Sequence, residues 1–314
     1  MESLPLITVI ITTYNRVDLL TRRALPSVLG QTYKNLECFV VDDCSTDETE
    51  SIIRRVTETE SRVTYFKTPT NRGVAAARNF GVKKSNGRLI AFLDDEDEFL
   101  PHYLEKVEQA FLNTTTEVGA LVTNFWLHYE DGEEVFAERE KDFWRAGIGN
   151  GWSLKKSVFF EGSMWFDEDL RSLEDLDFSL RFSRLFRYRV VAEPLFRYYT
   201  PTPRLRDRGI LLGKRYQSYF LSNLQTVLKR HFPVYEREGK MALAWFYFFE
   251  GVHYCQFGKL QKGRSALLKA FKMKPSLHGL YHIITSFGGW NFFLFAFGLR
   301  SKLQKALKRL CVSI

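Results

Sequence analysis

Five nearly continuous apolar runs, with segments of helical length between them, constrain this chain more than any other feature. They are Ile7–Tyr14, Leu36–Val41, Arg62–Lys67, Arg88–Leu93 and Ala120–Tyr129. A strand with one wet face alternates apolar and polar residues; runs without that alternation predict strands covered on both faces. The intervening segments predict helices. One follows Asp43, with Ser45 and Glu48 spaced as a capping box; one spans Gly73 to Lys84; one opens at Pro101, a residue tolerated in a first helical turn. Strand and helix in strict succession imply right-handed βαβ units and a doubly wound, mostly parallel sheet of the α/β class.

Ligands of such sheets bind outside the carboxyl ends of the strands. Thr12-Thr13-Tyr14-Asn15, Asp42-Asp43 and the run Asp94-Asp95-Glu96-Asp97-Glu98 all fall at those ends. Five successive carboxylates repel one another unless a positive group sits among them. Hard oxygen ligands at a strand exit suit Mg²⁺ or Mn²⁺, which in turn hold phosphate oxygens. A solvated acidic turn is the plain alternative, but a second acidic pair after a second strand argues for a site.

Residues 130–200 read as irregular, apart from a helix near Leu173–Phe186 with Glu174, Asp175 and Asp177 at its start. A strand pair or edge strand follows at Arg187–Tyr199. Beyond Pro201 and Pro203 the pattern is helical only, at Arg208–Lys229, Lys240–Phe257, Gln261–Lys272, Ser276–Phe287 and Asn291–Leu310. The expected domains are therefore 1–203 and a helical, basic 204–314. Lys and Arg number 25 against 33 Asp and Glu in residues 1–200, but 20 against 4 in residues 201–314, so the two parts meet different surroundings. Gly251, Tyr254, Gly258, Ala266, Ala270 and Pro275 roughly fit one helical hairpin of tetratricopeptide type.

Gly279–Leu299 is the most apolar long window, but His278, His282, Asn291 and the Gly288-Gly289 break argue against a clean membrane span. With the basic stretch Arg300–Arg309 it suits either an interfacial helix on an anionic inner leaflet or a packed helical subdomain. Cys38, Cys44, Cys255 and Cys311 show no paired spacing, which fits a reduced cytoplasmic setting and no zinc motif. No signal segment precedes the first strand. The expected location is cytoplasmic, with peripheral attachment at the inner membrane face as an option. The basic residues match no nucleic-acid motif, so nucleic acid is not an expected partner.

The combined motifs resemble the inverting glycosyltransferases of family 2, which share the GT-A fold, over roughly Leu6 to Thr200. The residues carrying the resemblance are Val9–Arg16, Ser27–Tyr33, Val41–Asp47, Asn71–Asn79 and Phe92–Asp97, in order and at matching spacing. The resemblance implies a nucleotide-sugar donor, with a UDP-sugar, the family's commonest, as the expectation, and a glycan or lipid-linked acceptor in polysaccharide or cell-surface glycan synthesis. It assigns nucleotide binding to Thr12, Tyr14, Asn15, Asp43, Arg78 and Asp95, with Tyr14 stacking on the base and Arg78 reaching the diphosphate. It assigns the metal to Asp94 and Glu96, where Glu96 departs from the family's usual Asp and leaves Asp95 or Asp97 as substitutes. Asp175 becomes the base that takes the acceptor proton; Glu174 and Trp152 become acceptor-side residues. The family's usual His near Tyr199 is missing, which shifts the expected phosphate neutralisation to the metal, Arg78 and the accessory arginines Arg204 and Arg206.

Two other classes compete. A sugar nucleotidyltransferase also uses a doubly wound fold and Mg²⁺, but it carries a Gly-rich basic loop after its first strand, unlike Thr12-Thr13-Tyr14-Asn15. A non-catalytic transferase-like scaffold would be favoured if Asp175 failed to face the acidic run.

Overall fold

The computed structural model describes residues 5–129, 132–138, 151–200 and 213–288. The chain forms two compact units, Met1–Thr200 and Pro201–Ile314.

In the first unit the elements are β1 (Ile7–Thr13), a helical stretch made of α1 (Val17–Leu19), a π-type turn (Leu20–Ala24) and α2 (Leu25–Leu29), then β2 (Leu36–Asp42), α3 (Thr49–Thr59), β3 (Val63–Lys67), α4 (Val74–Lys84) and β4 (Leu89–Asp94). There follow β5 (Glu98–Phe99), α5 (Tyr103–Leu112), β6 (Val118–Tyr129), β7 (Glu134–Ala137), β8 (Trp152–Lys155), α6 (Ser157–Phe160), α7 (Glu174–Phe182) and β9 (Arg187–Thr200). One sheet runs in the order β3-β2-β1-β4-β8-β6-β9-β5, with β7 paired to β6.

The first four of these strands are parallel, as the apolar runs require. Beyond β4 the sheet is mixed: β8 is antiparallel to both β4 and β6, β9 runs parallel to β6, and β5 is antiparallel to β9. β5, β7 and β8 escape a sequence reading because two or four residues cannot display a period. The stretch 187–199, expected as a strand pair or an edge strand, is a single strand lying between β6 and β5, and its register against β6 shifts around Asn124 and Pro194, where proline cannot donate to the ladder.

Every residue of β1 is buried, and its side chains divide between two cores. Ile7, Val9 and Ile11 enter one, with Leu20, Leu25, Val28, Ile53, Leu104 and Val107 from the helices over that face. Ile10 enters the other, with Ala75, Ala77 and Val82 of α4 and Phe178 and Phe182 of α7. Burial on both faces explains the missing alternation. α4 lies close on β1 because residue 81 is glycine; a Cβ there would stand 2.8 Å from Ile10 Cγ2. That approach sets the depth from which Arg78 projects.

The capping box does not form. Asp47 Oδ1 accepts from Thr49 N (3.1 Å) and Thr49 Oγ1 (2.5 Å) at the start of α3, while Ser45 Oγ accepts from Asn15 N (2.8 Å). The serine belongs to the site's loop network instead.

The second unit holds α8 (Gly213–Arg237), α9 (Lys240–Gln256), α10 (Leu260–Met273) and α11 (Leu277–Phe287). α9 and α10 form the expected hairpin through two glycines: a Cβ on Gly251 would meet Leu267 Cγ at 2.7 Å, and one on Gly263 would collide with Cys255 Sγ. No helix among the described residues is long and apolar enough to cross a membrane. The apolar window beyond 288, the basic stretch 300–309, and Arg204 and Arg206 lie outside the described residues.

Candidate active site

The three polar clusters stand at one edge of the sheet in register. Thr12 pairs with Val41 on one side and Asp94 on the other, and Thr13 pairs with Asp42. Above them lies a cavity of about 340 Å³ lined by Thr12, Thr13, Tyr14, Arg16, Asp43, Val74, Ala77, Arg78, Asp94, Asp95, Glu96 and Glu174. This volume is within the range of small-molecule sites. Tyr14 is 45% exposed, so its ring is free to meet a ligand.

The loops that shape this cavity are held by side chains. Asn15, in the left-handed region at φ 52°, accepts through Oδ1 from Thr46 N (2.7 Å) and Asp47 N (3.3 Å), tying the loop after β1 to the loop after β2. Asn15 does not line the cavity; its observed contacts are those of a loop fastener. Asp42 is fully buried, accepting from Ser45 N (2.7 Å) and Tyr65 OH (2.5 Å). Asp43 faces the cavity, but it also accepts from Arg72 N (2.9 Å) and Gly73 N (2.7 Å), fixing the turn that opens α4.

The five carboxylates of the acidic run have five different surroundings. Arg78 Nη2 donates to Asp94 Oδ1 (2.9 Å). Asp95 accepts from Thr13 Oγ1 (2.8 Å) and Arg16 Nη1 (3.4 Å), and Glu96 from the same Arg16 nitrogen (3.0 Å). Asp97, fully buried, accepts from Tyr199 N (2.8 Å), and Glu98 pairs with Arg197 (3.4 Å). Asp97 and Glu98 thus fasten β9, and only the first three face the cavity.

Burial and crowding raise the affinity of these groups for protons. Asp95 is pushed up to about 6 by burial, aided by Asp94 and Glu96 and opposed by Thr13 and Arg16. Glu96 is raised, chiefly by burial. Glu174 is pushed up to about 7 by burial and by Asp175, against the pull of Arg78. Asp175 is also raised, by burial first, with Asp94 adding to the effect. Both acidic clusters therefore act on one another electrostatically, although they come from β4 and α7.

Arg78 is the link. It is buried, donates to Asp94 and, through Nη1, to Glu174 Oε1 (3.2 Å), and lies 5.5 Å from the centre of the Phe166 ring. Burial opposes its charge, but Asp94 and Glu174 more than restore it. α7 begins at Leu173 in the left-handed region (φ 62°), an uncommon conformation for a branched residue, which turns the chain so that Glu174 enters the cavity. Asp175 does not line the cavity; its Oδ1 accepts from Leu176 N (2.7 Å).

Trp152 corrects the sequence reading. It is 1% exposed, packed among Phe182 and Tyr188 behind β8, and offers no face to an acceptor. The four-residue strand that buries Trp152 is too short to show a period in the sequence. Arg16 was overlooked as a site residue, though it belongs to the Thr12–Arg16 motif and its position beside the acidic run arises only in the fold. A clamp was also overlooked: Arg171 donates to Asn71 Oδ1 (3.2 Å) and Arg72 pairs with Glu168 (2.7 Å), joining the loop before α4 to the segment before α7.

No group of three or more His, Cys, Asp or Glu side chains forms a ready metal cage among the described residues. The donor set nevertheless fits a hard cation. The side chains of Asp94 and Glu96 keep 33% and 37% of their surface exposed beside the cavity, and Mg²⁺ is commonly held by one or two carboxylates plus substrate phosphates.

A doubly wound sheet with a polar cavity at the carboxyl ends of its first strands, bordered by acidic groups from β4 and α7, defines a GT-A type transferase fold. The chain belongs to glycosyl transferase family 2, whose sequence profile matches residues 8–167. A glycosyltransferase of Haemophilus influenzae is 43% identical over 104 residues, covering 33% of this chain and 41% of that protein. The match therefore spans less than half of that relative. The Escherichia coli protein WcaA, named as a colanic acid biosynthesis glycosyl transferase, is 32% identical over 203 residues, covering 58% of this chain and 67% of WcaA. Among solved structures, Staphylococcus aureus TarS residues 1–349 in complex with UDP-GlcNAc aligns with a TM-score of 0.58 at 16% identity, over 95% of this chain and 92% of that one.

Proposed function

We propose that the chain transfers a sugar, with inversion at the anomeric carbon, from a nucleotide-sugar donor to a glycan or lipid-linked acceptor in cell-surface polysaccharide synthesis. The observation that carries this reading is the Arg78 bridge, which makes Asp94 and Glu174 walls of one cavity. A donor diphosphate near Asp94 and an acceptor near α7 would then meet within a single site. Family membership supports the reaction class, and the relative named for colanic acid synthesis supports the setting. The fold neighbour bound to UDP-GlcNAc makes UDP the first base to test.

The acceptor hydroxyl attacks the anomeric carbon opposite the diphosphate. A new carbon–oxygen bond forms as the bond to phosphate breaks, and the nucleoside diphosphate leaves with the electron pair. Asp175, outside the cavity wall but next to Glu174 and within the field of Asp94 and Arg78, takes the acceptor proton. Its Oδ1 accepts from Leu176 N–H, which leaves Oδ2 to receive the proton, and burial raises its proton affinity, as a base requires. Glu174 orients the acceptor, while Arg78 keeps Glu174 and Asp94 in place. Tyr14 stacks on the base, with Thr12 and Asp43 beside the nucleoside. Mg²⁺ or Mn²⁺, held by Asp94 and Glu96 with the donor phosphates, would neutralise the departing diphosphate.

The 20 Lys and Arg against 4 Asp and Glu in residues 201–314 favour peripheral attachment to an anionic membrane surface, close to a lipid-linked acceptor. Release of nucleoside diphosphate across a panel of UDP-, GDP- and dTDP-sugars tests the donor assignment. Turnover with one UDP-sugar is expected; release with none of the panel, with acceptor extracts present, would overturn it.

A further inference from the structure

Two arginines reach the acidic run in different ways. Arg78 is enclosed, with 5% of its side chain exposed and the rings of Phe166 and Phe92 at 5.5 and 6.0 Å. Removing its charge would strand Glu174. Arg16 has 51% of its side chain exposed and uses a single nitrogen, Nη1, for both Glu96 (3.0 Å) and Asp95 (3.4 Å). The exposed pair with Glu96 is of the weak kind that salt screens, and the pair with the buried Asp95 is long at 3.4 Å.

The backbone of Arg16 is fixed, since its carbonyl accepts from Leu19 N and Leu20 N at 3.1 Å each. The side chain can therefore swing without moving the loop. It lines the cavity beside Tyr14, so a diphosphate there would lie within reach.

We propose that Arg16 is a displaceable counter-cation: it neutralises Asp95 and Glu96 in the empty site and moves to the donor phosphates when a divalent cation takes its place. This rests on the metal reading given under the proposed function. A divalent cation at Glu96 would stand beside the Arg16 guanidinium and repel it, while a diphosphate offers the displaced guanidinium a new anionic partner. Cation and nucleotide then bind as a coupled pair: the cation alone must compete with Arg16, and the cation with nucleotide need not.

The test is Mn²⁺ binding to the full chain, by calorimetry and electron paramagnetic resonance, with and without UDP. Arg16→Met should raise nucleotide-free Mn²⁺ affinity about fivefold, the equivalent of losing one exposed ion pair. The same variant should weaken UDP binding at saturating Mn²⁺, reducing the mutual enhancement of the two ligands. Arg16→Lys, which keeps the charge, should retain most of that enhancement. Unchanged or reduced nucleotide-free Mn²⁺ affinity in Arg16→Met would overturn the proposal, leaving Arg16 a static ion pair. A wild type that binds Mn²⁺ neither alone nor with UDP would overturn the metal reading beneath it as well.

Discussion

Arg78 Nη1 and Glu174 Oε1 meet at 3.2 Å across 96 residues of sequence, joining α4 to the start of α7. Because Arg78 also holds Asp94, this one side chain couples the acidic run of β4 to the acidic pair of α7. Removing it takes the cation from Asp94 and from the buried Glu174. Arg78→Met is expected to destabilise the first unit by about 3–5 kcal/mol, as breaking a buried ion pair does. Urea unfolding measures this; a loss below about 1 kcal/mol would mean that Glu174 finds another partner.

The same network sets a pH dependence. Glu174 moves from an ordinary 4.5 up to about 7 in the folded chain, and Asp95 from 3.8 to about 6. For groups raised on folding, the native state binds more protons than the unfolded state across that window. Their stabilising contribution is complete below the unfolded values and is lost as pH rises through the folded ones. Wild-type stability relative to Glu174→Gln should therefore fall between pH 4.5 and 7, by roughly 1–3 kcal/mol. Urea midpoints of the two proteins across that range test it; parallel curves would contradict it.

In the helical unit, Gly251→Ala sets two effects against each other. Alanine favours a helix over glycine by about 1 kcal/mol, whereas overpacking costs about 1–3. The new Cβ would stand 2.7 Å from Leu267 Cγ and 2.9 Å from the Gly263 carbonyl, a backbone atom that cannot turn aside. The steric cost should prevail, and thermal unfolding followed by circular dichroism should show a destabilised helical unit. A stabilised variant would mean that α9 and α10 separate easily.

How much of this was legible beforehand follows from the length over which each signal repeats. Ile7–Thr13, Leu36–Asp42 and Leu89–Asp94 are long enough to declare double burial, so the parallel half of the sheet and its polar edge could be read directly. β8 could not, and Trp152 was misplaced with it. The family resemblance proposes Asp94, Glu96 and Glu174 as site residues but gives none of their partners. The resemblance marks Arg78 as a diphosphate contact, but its bridge to Glu174 exists only once α7 folds over it, and Arg16 reads as a loop residue until β4 stands beside β1. The split of the acidic run between cavity and β9 likewise depends on Tyr199 N reaching Asp97, a contact across 102 residues.

The central claim is that Asp175 receives the acceptor proton in a site whose donor half is built by β1, β2 and β4. It is tested most directly by Asp175→Asn, assayed for sugar transfer alongside nucleotide binding by calorimetry. The amide keeps the shape of the side chain but cannot accept the proton, and loss of a general base costs about 10²–10⁴ in rate. The account predicts a loss of turnover of that size with nucleotide affinity unchanged. Wild-type turnover in the variant would contradict it.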